Sequence, residues 1–404
     1  MGCGSDDVNV VLSLGDMPPS NAFLTEADLG NPEKRYPLDL AFCSTCGLAQ
    51  ITVSVDPEEL FGEYAYFSSY STTMLEHARS IATRMIEERA LNSESLAMEI
   101  ASNDGYLLQY YAEAGVPVLG IEPARNVAAE ASERGVETLC RFFGGELAEE
   151  LRGADRRAHV LHANNVLAHV PDINGVVEGI GRVLTDDGVA VVETPYVRDL
   201  VERLEFDTIY HEHLFYYSLT SLQRLFERNG LRMVDVERVP IHGGSLRVFA
   251  SPEANAGEPS SAVVTLLKEE SQLGLDTLAY FQGFAQRVED LKERLTETLA
   301  DLKAQGHRIA AYGAAAKGVI LLNACGIGAD TIDFVADRSE YKQGRFMPGA
   351  HIPVVAPGRI LADMPNEVLV LAWNLADEIL EQQDDYRARG GRFIIPVPHP
   401  EVVA

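Results

Sequence analysis

Three features of the chain predict an α/β protein with two nucleotide-fold-like units behind a small cysteine-bearing module. Strand-like and helix-like segments alternate from residue 95 to 196 and again from 308 to 397. A Pro/Gly/Ser-rich stretch, 251–261, separates the two series. Ahead of both, Cys43-Ser44-Thr45-Cys46-Gly47 forms a C-x-x-C-G turn. Strands spaced by helices of about 10–15 residues indicate parallel βαβ winding. The division expected is 1–70, 71–250 and 251–404.

With 404 residues, 46% hydrophobic and 23% charged, the chain has the composition of an ordinary soluble globular protein. A net charge of −28 argues against nucleic-acid binding, because phosphate would be repelled. It also means that an anionic substrate needs locally placed Lys or Arg. No apolar run approaches the roughly 20 residues of a membrane span, and no signal peptide opens the chain. Asp6 stands where a myristoylation signal needs Ser or Thr. A cytoplasmic protein is expected, monomeric or a weak homo-oligomer, with no membrane partner.

Residues 1–65 read as short, turn-rich and irregular, with Pro18, Pro19 and Pro32 breaking any helix. A module that small often needs a metal in place of a core. Its five-cysteine chain offers Cys43 and Cys46 as paired ligands and Cys3 as a third, which suits structural zinc. Free thiols or a redox pair are the alternatives, although no βαβ pattern surrounds the C-x-x-C.

Residues 71–90 then read as an amphipathic helix, with Met74, Ala78, Ile81 and Met85 at helical spacing. Strands are expected at 96–102, 116–121, 136–142, 159–163 and 189–193, with helices at 106–114, 124–135, 146–152, 172–184 and 197–206 between and after them. A helix at 220–229 and a hairpin of strands 231–239 and 245–250, turning at His242-Gly243-Gly244, complete the first unit. A parallel sheet closed by an antiparallel last pair is the class I methyltransferase arrangement. Residues 262–304 read as one long, largely helical charged face covering a sheet. The second unit takes strands 308–312, 331–335, 367–372 and 392–397, with helices 319–325 and 375–389.

Glu99-Ile100-Ala101-Ser102-Asn103-Asp104-Gly105 lies where a strand turns into a helix, a place where backbone N–H groups and a close-approach glycine receive a cofactor. Glu122 and Pro123 end the next strand. An acid there can accept from both ribose hydroxyls, or stabilise the following helix. Without a pyrophosphate-type glycine loop, S-adenosylmethionine fits better than NAD. Tyr210-His211-Glu212-His213-Leu214-Phe215-Tyr216-Tyr217-Ser218 follows, dense in groups that move protons or hold oxyanions. It reads either as a proton-transfer site or as an aromatic lip between two helices.

Glu99–Gly105, Asn164-Asn165-Val166-Leu167-Ala168-His169 and the Tyr210–Ser218 stretch resemble the S-adenosylmethionine-dependent C-methyltransferases that act on TDP-4-keto-deoxyhexoses in deoxysugar and antibiotic biosynthesis. The resemblance extends from Cys3 and Cys43–Cys46 through Tyr64-Ala65-Tyr66-Phe67-Ser68 to Tyr312-Gly313-Ala314-Ala315-Ala316-Lys317-Gly318. Ala101 departs from the glycine usual in the cofactor loop. The first cysteine of the amino-terminal C-x-x-C would precede Met1.

The resemblance implies His213 as the base beside the ketone, Tyr210 and Glu212 positioning the sugar or tuning the imidazole, and His169 and Tyr64 completing the catalytic set. His211 is expected to point away. The cofactor set it implies is Glu99, Ala101, Asn103, Gly105, Tyr106, Glu122, Pro123, Asn165, Tyr66 and Ser68. Methylation is expected next to the 4-ketone, C3 ahead of C5. In the second unit Tyr312, Lys317 and Asp337, with Arg247 and Lys342, are expected to help hold the TDP-sugar, though each cation could equally be a surface charge. An O- or N-methyltransferase and a nicotinamide-dependent oxidoreductase are the rival readings.

Overall fold

The computed structural model describes residues 2–56, 68–241 and 243–404. Its strands form three sheets. The first is not the irregular module expected of residues 1–65. Strands β1 (Val8–Met17), β2 (Tyr36–Cys43) and β3 (Ala49–Ile51) run antiparallel, and the fourth strand, β9 (Phe215–Tyr216), comes from the middle of the chain. Pro18 and Pro19 follow β1 and end it, which is where a residue without an N–H belongs. Two register shifts break the strand alternation of β1, and the last strand lies far away in sequence. Ile51 N–H donates to the Leu214 carbonyl (2.9 Å), so the Tyr210–Ser218 stretch is bolted to this sheet.

The central sheet contains β4 (Ala97–Ile100), β5 (Val118–Ile121), β6 (Thr138–Leu139), β7 (Ala158–Asn164), β8 (Leu184–Pro195), β10 (Leu231–Val239) and β11 (Ser245–Pro252). Their order is β10-β11-β8-β7-β4-β5-β6, parallel except for β11, which runs antiparallel to β8 and β10. This is the class I methyltransferase arrangement read from the alternation of segments. The third strand is shorter than expected, two residues against seven, because the chain leaves the sheet edge after Leu139. The helix at Thr72–Glu88 buries Met74, Ala78, Ile81, Ala82 and Met85, and Ser71 caps it by accepting from Met74 N–H.

Residues 262–304 are not one helix. Three helices, Ser261–Leu273, Leu278–Phe281 and Phe284–Ala304, are separated where Gly274 (φ 71°) and Gly283 (φ 80°) take left-handed conformations. The last of them buries Val288, Leu291, Leu295, Leu299 and Leu302 and packs against β1, so it covers the amino-terminal sheet. The third sheet has the order β14-β13-β12-β15-β16-β17, built from β12 (Ile309–Tyr312), β13 (Val335–Ala336), β14 (Val354–Val355), β15 (Glu367–Val370), β16 (Arg392–Ile395) and β17 (Glu401–Val403). Only β17 is antiparallel there. β14 and β17 had not been expected. The expected helix 375–389 is broken into a 3-10 turn, Trp373–Leu375, and two short helices, Ala376–Gln382 and Asp384–Ala388.

Candidate functional site

A cleft of about 1940 Å³ is lined by residues from around all three sheets. At its first end β4 delivers the chain into three left-handed residues: Ala101 (φ 52°), Asn103 (φ 49°) and Gly105 (φ 77°). At Gly105 a Cβ would lie 2.9 Å from Val136 Cγ2, so the turn admits only glycine there. Asn103 Oδ1 accepts from Ser68 N–H (2.9 Å). The Glu122 carboxylate, at the end of β5, accepts from the backbone N–H of Asn103 (3.0 Å) and of Ala124 (2.8 Å). Burial pushes Glu122 above the ordinary carboxylate range, against those two hydrogen bonds. Each oxygen keeps a second acceptor site, so both sequence readings of Glu122 are compatible here: it steadies the next helix and can still accept a ribose hydroxyl. S-adenosylmethionine fits this end, where a buried acid can accept a ribose hydroxyl beside a close-approach turn.

Ala101, Tyr106, Pro123, Asn165 and Ser68 line the same end of the cleft, while Glu99 and Gly105 sit behind it. Glu99 is buried, and desolvation followed by the charge of Glu122 raises it well above its ordinary value. Tyr64 and Tyr66 lie outside the described residues.

The central wall is built by the turn after helix Val197–Glu202. Phe206–Thr208 forms one 3-10 turn, and His213 N–H then closes back on the Tyr210 carbonyl (2.8 Å). The half-buried His213 ring sits between two fixed oxygens. Nδ1 is 3.1 Å from the Thr208 carbonyl, and Nε2 is 2.8 Å from the Tyr210 hydroxyl. A carbonyl can only accept, so Nδ1 carries the hydrogen and Nε2 is left as the acceptor facing Tyr210. His169 packs edge-on against His213, ring centres 4.7 Å apart, and burial pushes its pKa down to about 4. It is therefore a neutral neighbour at neutral pH.

Glu212 does not reach His213. Its carboxylate turns to Asn21 Nδ2 (2.7 Å), and burial pushes it up to about 7 despite Asn21 and Lys342. His211 points the other way, toward the Pro37 carbonyl (3.3 Å) and the Tyr36 ring, as expected.

At the far end, Asp337 accepts from Ala314 N–H (2.7 Å) and Ser339 N–H (2.8 Å), and Lys342 Nζ donates to the Ala314 carbonyl (2.7 Å). Together they shape the 313–318 loop beside Tyr312. Lys317 is not the free cation its position suggested. It donates to Asn374 (2.8 Å), lies 4.4 Å over the Trp373 ring, and feels the charges of Asp207 and Glu205, which partly offset the effect of its burial.

Arg247 is absent from the cleft. The register places it directly opposite Glu193 on one side and Glu237 on the other. Its guanidinium pairs with Glu193 (2.6 Å), Glu237 (3.2 Å) and the His77 ring (3.0 Å). A cross-strand row consumes the charge.

Sequence reasoning missed Asn21, Phe23, Glu205, Asp207, Arg338 and Asn374. Trp373 was also missed, and as the single tryptophan of the chain it was a signal that could have been followed. Its indole N–H donates to Asp207 (2.7 Å).

Cys3, Cys43 and Cys46 bring their sulfurs within 4.8 Å of one another, with Cys3 and Cys43 3.7 Å apart. Zinc–sulfur bonds of about 2.3 Å place tetrahedral sulfurs about 3.8 Å apart, so the triad fits zinc. No fourth Cys, His, Asp or Glu joins them among the described residues.

Comparison with known proteins accounts for the three regions together. Family models match residues 2–61 (zinc binding domain), 74–236 (methyltransferase domain) and 240–398 (C-methyltransferase C-terminal domain). The chain is 38% identical to the C-methyltransferase NovU of Streptomyces niveus over 402 residues, covering 100% of this chain and 96% of that one. Among solved structures, the magnesium protoporphyrin IX methyltransferase of Synechocystis PCC 6803 with bound SAM is similar at 12% identity and a TM-score of 0.34, over 44% of this chain and 78% of that chain. The PH0226 protein of Pyrococcus horikoshii OT3 is similar at 15% identity and a TM-score of 0.39, over 48% and 98%. With a full-length relative and its zinc module, cofactor-binding sheet and carboxy-terminal unit all matched, the chain belongs to the S-adenosylmethionine-dependent C-methyltransferases.

Proposed function

We propose that the enzyme methylates a carbon next to the ketone of a TDP-4-keto-deoxyhexose, and that His213 removes the proton there. The observation that carries this reading is the fixed tautomer of His213 at the cleft wall, with Nε2 unprotonated and 2.8 Å from the Tyr210 hydroxyl. A ketone acidifies the adjacent C–H, and an imidazole is well matched to take that proton near neutral pH. S-adenosylmethionine, when bound, supplies the electrophilic methyl carbon.

The chain's own residues account for the rest. His213 Nε2 takes the proton, and the C–H electron pair becomes the enolate. Once Nε2 carries a hydrogen it donates to Tyr210, whose hydroxyl can then give its own hydrogen bond to the enolate oxygen. A neutral His169 leaves room for positive charge on His213, where a second imidazolium would oppose it. Thr208, through its carbonyl, keeps the base in register. The carbon nucleophile then displaces the thioether in line.

The nucleotide end of such a substrate is anionic, and the carboxy-terminal wall supplies the nearby cations of a very acidic protein. Arg338 there is 62% exposed and Lys342 flanks the 313–318 loop. In a deoxysugar pathway, and so in antibiotic biosynthesis, the product would be a branched-chain sugar nucleotide.

The test is product analysis after incubation with S-adenosylmethionine and a panel of TDP-4-keto-deoxyhexoses. Mass spectrometry should show one added methyl, and carbon NMR should place it on C3 or C5. A methyl found on oxygen or nitrogen, or no turnover across the panel, defeats the proposal.

A further inference from the structure

One buried carboxylate in the cleft wall has no use in the reaction described above. Glu205 is 4% exposed and lines the cleft, yet its buried Oε1 makes no hydrogen bond among the described residues. Its nearest ion partner on that oxygen, Arg203, stands 3.9 Å away and is 52% exposed, too far for a hydrogen bond. The two acids around it each have a donor, although Asp207 Oδ1 is also without a hydrogen bond. Asp199 is bonded twice by Arg238, at 2.7 and 2.9 Å, and Asp207 accepts from Trp373 at 2.7 Å. Of the three, only the Glu205 carboxylate accepts from no donor at all among the described residues.

A buried carboxylate without a donor is costly, and such groups persist where a ligand completes them. Several contacts hold this one in place. Gly243 (φ 93°) approaches so closely that a Cβ there would lie 2.8 Å from Oε2. Behind, the Glu205 carbonyl accepts from Thr208 N–H (3.0 Å) and from its hydroxyl (2.7 Å). Thr208 is also the residue that orients His213. The Glu205 carboxylate and the base thus share one turn, and a molecule whose reacting carbon lies at His213 can present a second group to Glu205.

We propose that Glu205 is a specificity-determining residue that accepts a hydrogen bond from a polar-hydrogen substituent of the sugar, an amine or a hydroxyl. The proposal rests on the nucleotide-sugar reading of the reaction. The carboxyl is pushed up to about 8, by burial first, since the charges of Lys317 and Arg203 offset that burial only in part. A donor from the substrate, an ammonium most of all, supplies the rest.

The experiment compares wild type with Glu205→Gln and Glu205→Ala on TDP-4-keto-hexoses that differ at one ring position, bearing an amine, a hydroxyl or hydrogen. Calorimetric binding of each sugar nucleotide is measured beside turnover, and S-adenosylmethionine affinity reports an intact fold. For the donor-bearing sugars the variants should raise Kd and KM about ten- to a hundredfold, the size expected for a hydrogen bond to a charged group. The deoxy sugar should change less than about threefold, and kcat should move little. An equal loss on all three sugars, or none on any, overturns the proposal while leaving the reaction standing. A wild-type enzyme that binds no sugar nucleotide removes the reading of the reaction, and this inference with it.

Discussion

The Tyr210 hydroxyl lies 2.8 Å from Nε2 of His213, while Nδ1 of the same ring is held 3.1 Å from the Thr208 carbonyl. The imidazole is therefore clamped at both nitrogens, and only one of them can take a proton from a substrate. Replacing His213 by Ala should lower solvent deuterium exchange at the carbon next to the ketone by a factor of about 10²–10⁴, the usual contribution of a positioned base. Tyr210→Phe keeps the base and should cost about tenfold, close to one hydrogen bond. Both variants should bind S-adenosylmethionine normally, since neither residue touches the Asn103–Glu122 turn. Exchange at the wild-type rate in His213→Ala would remove that residue as the base.

Ala101 carries φ 52°, a left-handed conformation that an L-residue with a Cβ adopts at a cost of about 1–2 kcal/mol. Glycine adopts it freely but gains freedom in the unfolded chain, worth about 0.5–1 kcal/mol. The balance favours Ala101→Gly by up to about 1 kcal/mol, with the cofactor turn unchanged or slightly relaxed. Denaturant unfolding in the absence of ligand measures it, and a variant less stable than wild type contradicts the strain assigned to this residue.

Zinc and His213, the proposed base, are linked through the first sheet. Cys43 ends β2, which pairs with β3, and β3 pairs with β9 through Ala49↔Tyr216 and Gln50↔Phe215. Removing the metal, or Cys43→Ser, should lower the melting temperature and also depress turnover, because β9 begins two residues after His213. Metal content by mass spectrometry, with melting and activity followed during chelation, checks both halves. If activity survives at full rate after the zinc is gone, the sheet does not hold the base in place.

The relation between His213 and its clamp was only half legible in the sequence. Local periodicity was enough to read the parallel βαβ series and its closing hairpin, because each strand and helix there states its own pattern. The amino-terminal sheet was not readable, since register shifts at Val10/Leu12 and Ser13/Asp16 break the alternation along β1 and β9 joins β3 from more than 160 residues away. Arg247 shows the same limit at one residue. Its place on a strand was readable, but only the register against Glu193 and Glu237 reveals that its charge is consumed. The breaks at Gly274 and Gly283 inside 262–304 are carried by two left-handed glycines, whereas the run of Glu, Lys and Leu reads as one helical stretch. Lys317 stood in a plausible loop, while its counter-charges Asp207 and Glu205 come from the turn before Tyr210, more than a hundred residues earlier.

Those same carboxyls give stability a pH dependence whose sign follows from burial. Glu205 is pushed from an ordinary 4.5 up to about 8, by burial first, and Glu212 up to about 7. Between the ordinary carboxyl range and those values the folded protein holds protons that the unfolded chain has lost, so stability falls as pH rises. His169 acts in the opposite sense, being pushed from 6.5 to about 4, but its effect is complete below pH 6.5. From about pH 6.5 to 8 Glu205 and Glu212 therefore pull stability down as pH rises, alongside Glu99, which burial also raises well above its ordinary value. A glutamine at 205 cannot ionise, so Glu205→Gln should flatten the decline, removing a loss on the order of 2 kcal/mol across that window. Melting temperatures of the two proteins, measured from pH 5 to 8.5 without ligands, should diverge above pH 6.5, with wild type falling faster. Parallel curves would mean that Glu205 is ionised throughout and that its charge is balanced within the free protein.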